Sequence, residues 1–431
     1  MNAIRRDFYL NELISRKENG LIKVITGIRR CGKSYLLFNI YFEYLLSQGV
    51  PEKNIIKVSL DDEKNEDLRQ PKQLSEFIRD KIKNNNSMHY VFIDEVQYAI
   101  SKEDLKSDKP LPLYGVLNGL MKLPNVDIYV TGSNSKLLSK DVMTEFRGRG
   151  DEIKVFPLTF KEFYDFVGGD KIDAFEEYAL YGGLPFVLSK KTSREKVSYL
   201  TDLFNEVYFK DIEERYNIAL PEVMKALTDD LCSSIGSLTN SSKISRTLKS
   251  VKGINADSQT ISTYISYLED AFLFHEAKRF DVKGKKYFSY PSKYYCTDIG
   301  LKNARLNYRQ QEETHAMENI IYNELLARGY CVDIGVVQFA PKGIDGKQHQ
   351  IQTEIDFVIN DGMNKYYIQS ALNIDDKTKE KNELRPLIAT RDFFKKIIIT
   401  KTRMKPWIDE NGIIHAGLYD FLLDKNSLNH F

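Results

Sequence analysis

An eight-residue segment near the N-terminus has the residue types and spacing of a loop that binds nucleotide phosphates. The pattern G-x-x-x-x-G-K-S is met at every position by Gly27, Ile28, Arg29, Arg30, Cys31, Gly32, Lys33 and Ser34. Glycines let backbone N–H groups turn inward around the phosphates, the Lys33 ammonium supplies positive charge, and the Ser34 hydroxyl is a ligand for Mg²⁺. The segment therefore predicts binding of a nucleoside triphosphate with Mg²⁺.

The residues around this loop predict the elements that it needs. Residues 21–26 are typical of a short buried strand, and residues 33–46 carry apolar side chains at helical spacing. A strand, loop and helix in this order aim the helix N-terminus at the phosphates.

A second acidic motif follows some sixty residues later. Residues 90–95 form an apolar run that ends in Asp94 and Glu95, which fits the Walker B pattern. Asp94 would hold Mg²⁺ through its water shell, and Glu95 would polarise the attacking water. An acidic pair after a strand is also typical of a solvated turn, so the motif gains its meaning from the loop.

Further polar residues could complete the site. The apolar run 126–130 is followed by a polar tip in which Asn134 or Ser133 is the candidate sensor of the γ-phosphate. Arg147 and Arg149 lie on a glycine-flanked segment and could reach a γ-phosphate in cis or from a neighbouring subunit. Two surface arginines are an equal alternative.

Cys31 has two interpretations. Its closeness to Lys33 and to the helix N-terminus favours a thiolate, whose oxidation or alkylation would block nucleotide entry. Alternatively, it is a small buried residue chosen for packing.

Composition narrows the class of protein. The chain has 431 residues, and its 62 basic and 61 acidic residues leave a net charge of +1, so any DNA contact would need a local basic patch. Four widely spaced cysteines suggest neither a zinc site nor a disulfide framework. No signal peptide or membrane-length apolar run is present, so we expect a cytoplasmic protein without membrane contact.

The order of patterns predicts an α/β fold for residues 1–157. Strands are expected at residues 21–26, 55–60, 90–94, 126–131 and 153–156 and alternate with helices. This alternation predicts a P-loop NTPase core with a mostly parallel sheet covered by helices.

Taken together, the motifs resemble those of a known family. They are G-x-R-R-x-G-K-S, D-E-V-Q, T-G-S-N-S, R-G-R, P-L-T-F-K-E-F and G-G-L-P. The combination resembles bacterial and archaeal AAA+/STAND-type ATPases, in which a winged helix and a restriction-endonuclease-like domain follow the ATPase core. The resemblance implies a core at 1–157, a helical lid and winged helix at 158–310, and a nuclease-like domain at 311–431, with ATP and Mg²⁺ as cofactors. It also implies that Pro185 contacts the adenine, whereas Gly182 and Gly183 could equally form a plain helix-breaking turn.

The middle section is typical of a winged helix-turn-helix. Helices are expected at 222–234, 241–251 and 257–271, the last capped by Asp257 or Ser258, followed by strands at 272–280 and 286–290 around a wing at 281–285. The third helix has no Lys or Arg; positive charge instead lies on Lys243, Arg246, Lys249, Lys252, Arg279, Lys283, Lys285 and Lys286. Such a patch could hold DNA phosphates without reading bases. Equally, the domain could be an internal nucleotide-sensing arm.

The last section resembles the PD-(D/E)XK nuclease fold. On that resemblance, Glu318 is the helix acid and Asp356 the first metal-binding carboxylate, while Gln369 and Ala371 stand at the positions of the second carboxylate and the lysine. An amide is a weaker ligand for a hard cation, and alanine cannot activate water. We therefore expect an inactive fold that serves as a binding or dimerisation platform.

These features favour an ATP-driven molecular switch or motor with an unknown protein partner and a possible homo-oligomeric state. The alternatives are an ATP-gated DNA-binding protein and an active nuclease.

Overall fold

The computed structural model describes residues 4–83, 87–101, 103–104, 109–133, 150–309, 312–339, 350–374 and 376–430. The chain divides into two compact units. The first comprises residues 1–157 with 270–272, and the second comprises residues 158–269 with 273–431. Among the described helices, none combines the length and the apolarity that crossing a membrane requires.

The first unit is built on a five-stranded parallel sheet. Its strands are β1 (Ile22–Thr26), β2 (Ile55–Ser59), β3 (His89–Asp94), β4 (Val126–Gly132) and β5 (Gly150–Lys154). The spatial order is β2-β3-β4-β1-β5, and each strand is parallel to its neighbours. The predicted parallel sheet is thus confirmed, with strand ends within three residues of those expected. Because β4 lies between β1 and β3, the carboxyl end of β4 is the meeting point of both predicted motifs.

Helices cover this sheet. They are α1 (Asp7–Ser15), α2 (Lys33–Tyr35), α3 (Phe42–Ser47), α4 (Pro71–Ile82) and α5 (Pro112–Met121), and a π-helical segment, Leu36–Tyr41, connects α2 to α3. Short 3-10 helices lie at Glu52–Asn54, Glu63–Asn65, Asp67–Arg69 and Val96–Ala99. Leu74, Ile78 and Ile82 recur every fourth residue of α4 and pack with Val91 and Ile93 of β3 in one apolar core.

The described helices of the second unit lie before, between and after its strands. Its helices are α6 (Phe160–Val167), α7 (Lys171–Tyr181), α8 (Ser193–Asp202), α9 (Lys210–Tyr216), α10 (Pro221–Ser233), α11 (Ser241–Lys252), α12 (Ser258–Asp270), α13 (Ile299–Arg305), α14 (Glu313–Ala327), α15 (Lys377–Ala389), α16 (Leu418–Leu423) and α17 (Ser427–His430). A 3-10 helix spans Pro185–Ser189, and a π-helical segment spans Leu203–Phe209.

An eight-stranded mixed sheet forms the rest of the second unit. Its strands are β6 (Phe274–Asp281), β7 (Lys286–Cys296), β8 (Val332–Phe339), β9 (Ile351–Asp361), β10 (Asn364–Ala371), β11 (Lys395–Thr400), β12 (Trp407–Ile408) and β13 (Ile413–Gly417), in the order β12-β13-β11-β10-β9-β8-β6-β7. The two strands expected around the wing at 281–285 are present as the hairpin β6–β7, and β6 also pairs in parallel with β8. The sheet therefore contains strands from both sides of the predicted boundary between residues 310 and 311.

Three helices and one isolated bridge precede this hairpin. α10, α11 and α12 occupy the segments where helices were expected, and the backbone N–H of Thr260 donates to the Asp257 carboxylate at 2.7 Å, which confirms the predicted cap. Between α10 and α11, Thr239 forms an antiparallel bridge with Ser292 of β7. The helices and the hairpin are thus joined by backbone pairing.

Candidate nucleotide-binding site

The loop after β1 depends on a glycine at its first position. Gly27 has a φ of +144°, and a Cβ added there would overlap the carbonyl oxygen of Val155, which follows β5. Any side chain would push the loop away from the sheet, so this glycine is required by close backbone approach as well as by conformation.

The side chains of Lys33 and Ser34 lie against the loop and the acidic motif of the first unit. The buried Lys33 ammonium donates to the carbonyl oxygens of Gly27 at 3.0 Å and Ile28 at 3.1 Å, so it lies across the loop. The Ser34 hydroxyl lies close enough to the Asp94 carboxylate to lower its pKa. The two motifs predicted from separate parts of the sequence are therefore close together.

Arg6 supports the same loop from the segment before α1. Its guanidinium donates to the carbonyl oxygens of Cys31 at 3.3 Å and Phe156 at 2.7 Å, and it lies 4.6 Å from the centre of the Tyr9 ring. Sequence reasoning missed this residue because nothing in its local pattern indicates a contact with a loop 25 positions away.

The structure favours the packing interpretation of Cys31. Its side chain is fully buried, and its thiol donates to the carbonyl oxygen of Val155 at 3.3 Å. Burial raises the pKa of the thiol, and the opposing charges of Lys33 and Arg6 do not reverse the shift. The thiolate interpretation of Cys31 is therefore not favoured.

Thr131 on β4 connects the two acidic residues. Its hydroxyl donates to the Asp94 carboxylate and accepts from the backbone N–H of Glu95 at 3.1 Å. Burial raises the pKa of Asp94, while the hydrogen bonds from Thr131 and Ser34 act in the opposite direction. Hydroxyl groups thus surround a buried carboxylate, an arrangement of oxygen atoms that suits a hard divalent cation.

Glu95 is held in a constrained position at the end of β3. Its φ of +51° is in the left-handed region, which is unusual for a residue with a side chain. The Gln97 amide donates to its carboxylate, and the Ser133 hydroxyl lies 3.5 Å from the same oxygen. Ser133 was one of the two predicted candidates for the γ-phosphate sensor. Gln97 is the last residue of the D-E-V-Q motif, and no role was predicted for it. The other candidates, Asn134, Arg147 and Arg149, lie outside the described residues.

In the second unit, the two glycines before Pro185 have a packing reason. Gly182 ends α7 with a φ of +76°, and a Cβ there would overlap the Asp298 carboxylate. That carboxylate accepts from the backbone N–H groups of Gly183 at 2.7 Å and Leu301 at 3.0 Å. Burial raises the pKa of Asp298 to about 6, against the effect of these bonds. Pro185 begins the next 3-10 helix.

The predicted nuclease acids lie in one cluster with an unexpected cation. Lys293 of β7 places its ammonium 3.0 Å from Glu318, 2.7 Å from Glu354 and 3.8 Å from Asp356. Gln369 accepts from the backbone N–H of Asp356 at 3.4 Å. In the described ranges, no group of three or more His, Cys, Asp or Glu side chains has a geometry that would hold a metal ion.

The predicted basic patch is only partly available to solvent. Lys243, Arg246, Lys249, Lys252, Lys283, Lys285 and Lys286 are exposed, whereas Arg279 is buried. Lys252 pairs with Asp229 at 3.1 Å, and Lys283 donates to the carbonyl oxygen of Gln338 at 3.0 Å. The wing therefore has three exposed lysines, Lys283, Lys285 and Lys286, and the buried Arg279 does not contribute to the exposed patch.

Comparisons with protein families match two parts of the chain. A family model described as AAA domain matches residues 19–164, and one described as a domain of unknown function (DUF8612) matches residues 172–312. An uncharacterized protein of Haemophilus influenzae is 34% identical over 403 residues, covering 92% of this chain and 93% of that protein. Uncharacterized protein MJ1544 of Methanocaldococcus jannaschii is 28% identical over 395 residues, covering 88% and 80%.

Solved structures give weaker overlaps. The Aeropyrum pernix ORC1 protein in complex with DNA aligns with a TM-score of 0.29 and 12% identity, covering 71% of this chain and 93% of that one. Cdc6p from Pyrobaculum aerophilum aligns with a TM-score of 0.30 and 11% identity, covering 75% and 96%. At these values the overlaps carry no argument about function.

Proposed function

Since the chain belongs to the same family as the uncharacterized Haemophilus influenzae protein, and its residues 19–164 match an AAA domain, we propose that it is an ATPase that acts as a molecular switch or motor. The observation that carries the proposal is the closeness of the loop and the acidic motif: the Thr131 hydroxyl donates to the buried Asp94 carboxylate, and the Ser34 hydroxyl of the loop is near enough to lower the pKa of the same group. A solvated turn would not bury an acidic residue beside a phosphate-binding loop.

The residues present fit ATP and Mg²⁺. Gly27 and Gly32 both have positive φ, which leaves the loop backbone free of side chains where phosphates would approach. Ser34 and Asp94 supply the oxygen ligands that Mg²⁺ prefers. When bound, the metal would neutralise charge on the phosphates.

The chain's own groups would then perform three tasks. Lys33, now bonded to loop carbonyls, would exchange these for phosphate oxygens. Glu95 would accept a proton from the attacking water, and its carboxylate is already held by Gln97 and Ser133. These contacts support Glu95 as the base, because a general base must be oriented as well as basic.

Two substitutions test this assignment. Lys33→Ala should abolish ATP binding in calorimetry, whereas Lys64→Ala, which removes an exposed lysine of the same unit, should bind normally. Glu95→Gln should bind ATP with unchanged affinity but hydrolyse it roughly a hundredfold more slowly or worse, because the water loses its base. Unchanged affinity in Lys33→Ala would contradict the site, and normal turnover in Glu95→Gln would reassign the base.

The switch also includes residues that are proposed without a described contact to the loop. Pro185 would contact the adenine, Asn134 would sense the γ-phosphate, and Arg147 or Arg149 would reach that phosphate within one chain or between subunits. Single alanine variants should each lower turnover, and mixing an arginine variant with Lys33→Ala should restore turnover only if the arginine acts between subunits. Mass in solution with and without ATP tests assembly.

DNA binding is the second candidate function, and the topology of the middle segment favours it. The order α10, bridge, α11, α12 and hairpin, with Thr239 paired to Ser292, supports a winged helix. The exposed wing lysines Lys283, Lys285 and Lys286 could neutralise phosphates. Replacing all three lysines with alanine should weaken DNA binding and reduce the dependence of the DNA affinity on salt concentration. If the variant binds DNA as tightly as the wild type, the domain has an internal role instead.

A degenerate PD-(D/E)XK fold without cleavage activity completes the proposal. The proximity of Glu318 and Asp356 supports the fold, and the burial of Ala371 in the apolar core supports the loss of activity. Cleavage of plasmid DNA with Mg²⁺ or Mn²⁺ that Asp356→Ala abolishes would make the chain a nuclease instead.

A further inference from the structure

Lys293 is the unusual member of the carboxylate cluster in the second unit. It lies on β7, the edge strand of the eight-stranded sheet, and only 6% of its side chain is exposed. Its ammonium lies within 4.0 Å of Glu318, Glu354 and Asp356. The ammonium donates a hydrogen bond to Glu318 and forms ion pairs with Glu354 and, at the longer distance of 3.8 Å, with Asp356.

We propose that the Lys293 ammonium takes the place of a divalent cation in this cluster, so that the second unit needs no metal there and excludes one. The proposal does not depend on the ATPase reaction of the first unit. It makes Lys293 the residue that determines which cation the cluster accepts.

The remaining hydrogen bonds of the cluster show that the carboxylates are already oriented. The Tyr295 hydroxyl donates to Glu318 at 2.6 Å, and the backbone N–H of Ser370 donates to Asp356 at 2.8 Å. Oxygen atoms are the ligands that a hard cation prefers. With the ammonium among them, these carboxylates do not form one of the groups that could hold a metal ion, of which the described residues contain none.

Charge explains why only one cation can be present. With Lys293 protonated, the three carboxylates and the ammonium have a formal charge of −2, and without the ammonium the charge is −3. Burial disfavours a charged group, but three carboxylates within 4.0 Å of the Lys293 ammonium favour its protonated form. The lysine therefore stays charged, and a metal ion entering the cluster would meet a like charge at close range.

This arrangement also accounts for the residues at the other two nuclease positions. Ala371 is in the apolar core, and no lysine is needed there if the cation comes from β7. The Gln369 amide N–H donates to the Glu383 carboxylate at 3.0 Å, so this group forms a hydrogen bond with α15. Neither residue competes with Lys293 for the acids.

Mn²⁺ binding to the nucleotide-free full-length protein tests the proposal, with calorimetry as the measurement. Lys293→Met, which keeps the length of the side chain without its charge, should gain one Mn²⁺ site at least tenfold tighter than any site of the wild type. Mn²⁺ should also raise the melting temperature of this variant. Lys286→Met removes an exposed lysine from the same strand and should behave like the wild type.

Two further variants keep the test decisive if Lys293→Met does not fold. Lys293→Met with Glu354→Gln restores the formal charge of −2 and leaves Glu318 and Asp356 to bind the metal, and Lys293→Met with Asp356→Asn should lose the gained site. Recovery of native fluorescence on adding Mn²⁺ supports the proposal. A wild-type Mn²⁺ site that Asp356→Asn removes would overturn the proposal. Failure of both Lys293→Met and Lys293→Met with Glu354→Gln to gain a Mn²⁺ site would also overturn it. ATP affinity, measured on the same proteins, separates this result from the proposed ATPase function.

Discussion

The Thr131→Val variant tests whether one hydroxyl group holds both acidic residues of the first unit in place. Valine has the shape of threonine, so packing is kept while two hydrogen bonds are lost, one to Asp94 and one from the backbone of Glu95. Losing a bond to an ionised carboxylate costs about 1.5–3 kcal/mol, and a buried N–H left without an acceptor costs about 1–3 kcal/mol. Because Thr131 is fully buried, water cannot replace either bond, and we expect a loss of about 3–5 kcal/mol in unfolding free energy.

The same change should reduce hydrolysis. A displacement of Glu95 that costs about 1.4 kcal/mol in the transition state lowers the rate tenfold, so we expect turnover to fall by roughly tenfold or more. The Thr131 hydrogen bond lowers the pKa of Asp94 against the effect of burial. Without that bond the pKa rises, so the acid limb of the pH–rate profile should move to higher pH.

Thr131→Ser is the matched control, since serine keeps the hydroxyl and loses only a methyl group. Urea denaturation followed by circular dichroism measures the stability loss, and hydrogen exchange in peptides from β3 and β4 locates it. ATP turnover across pH measures the functional effect. If the valine variant has the stability and turnover of the serine variant, the hydroxyl does not position the acids and the reasoning fails.

Two further predictions concern other buried positions. Gly27→Ala should lower stability by about 3 kcal/mol or more and weaken ATP binding, because the new Cβ overlaps the Val155 carbonyl and the φ of +144° is strained for alanine. Gly20→Ala, also at positive φ but with open space, is the control, and an equal effect of both would refute the steric argument. For Asp298, the folded-state pKa of about 6 exceeds the ordinary aspartate value of 3.8, so the folded state binds the proton more tightly. Stability of the second unit should fall by about 2.4 kcal/mol as pH rises from 4 to 7, and Asp298→Asn should remove that slope. The fluorescence of Trp407, the only tryptophan, follows this unit, and an unchanged slope would exclude Asp298 as its source.

The parts of the fold that the sequence predicts well are those with local signals. Apolar runs bounded by polar residues predicted the five parallel strands, and the spacing of glycine, lysine and serine predicted the loop after β1. Asp257 was recognisable as a cap because capping involves residues three apart. In each case the physical cause lies within one element.

The parts that could not be predicted depend on the order of strands in space. Thr131 bridges Asp94 and Glu95 because β4 lies between β1 and β3, and a linear sequence does not state that order. Lys293 carried no prediction, because its partners come from α14 and β9, which follow later in the chain. Two strands around a wing at 281–285 were predicted, but the pairing of β6 with β8 is long-range and has no local signal.

The two carboxylate sites differ in the charge of the group that orients them. In the first unit, Asp94 accepts a hydrogen bond from the Thr131 hydroxyl and lies near the Ser34 hydroxyl, and both groups are neutral, so its negative charge remains available to a cation. In the second unit, the acids meet the ammonium of Lys293, which satisfies them with a positive charge of its own. A hydroxyl can remain beside an incoming metal ion, whereas an ammonium must leave or be repelled. We therefore expect metal dependence in the first unit and metal independence in the second, and the Thr131 and Lys293 variants test the two halves of that expectation separately.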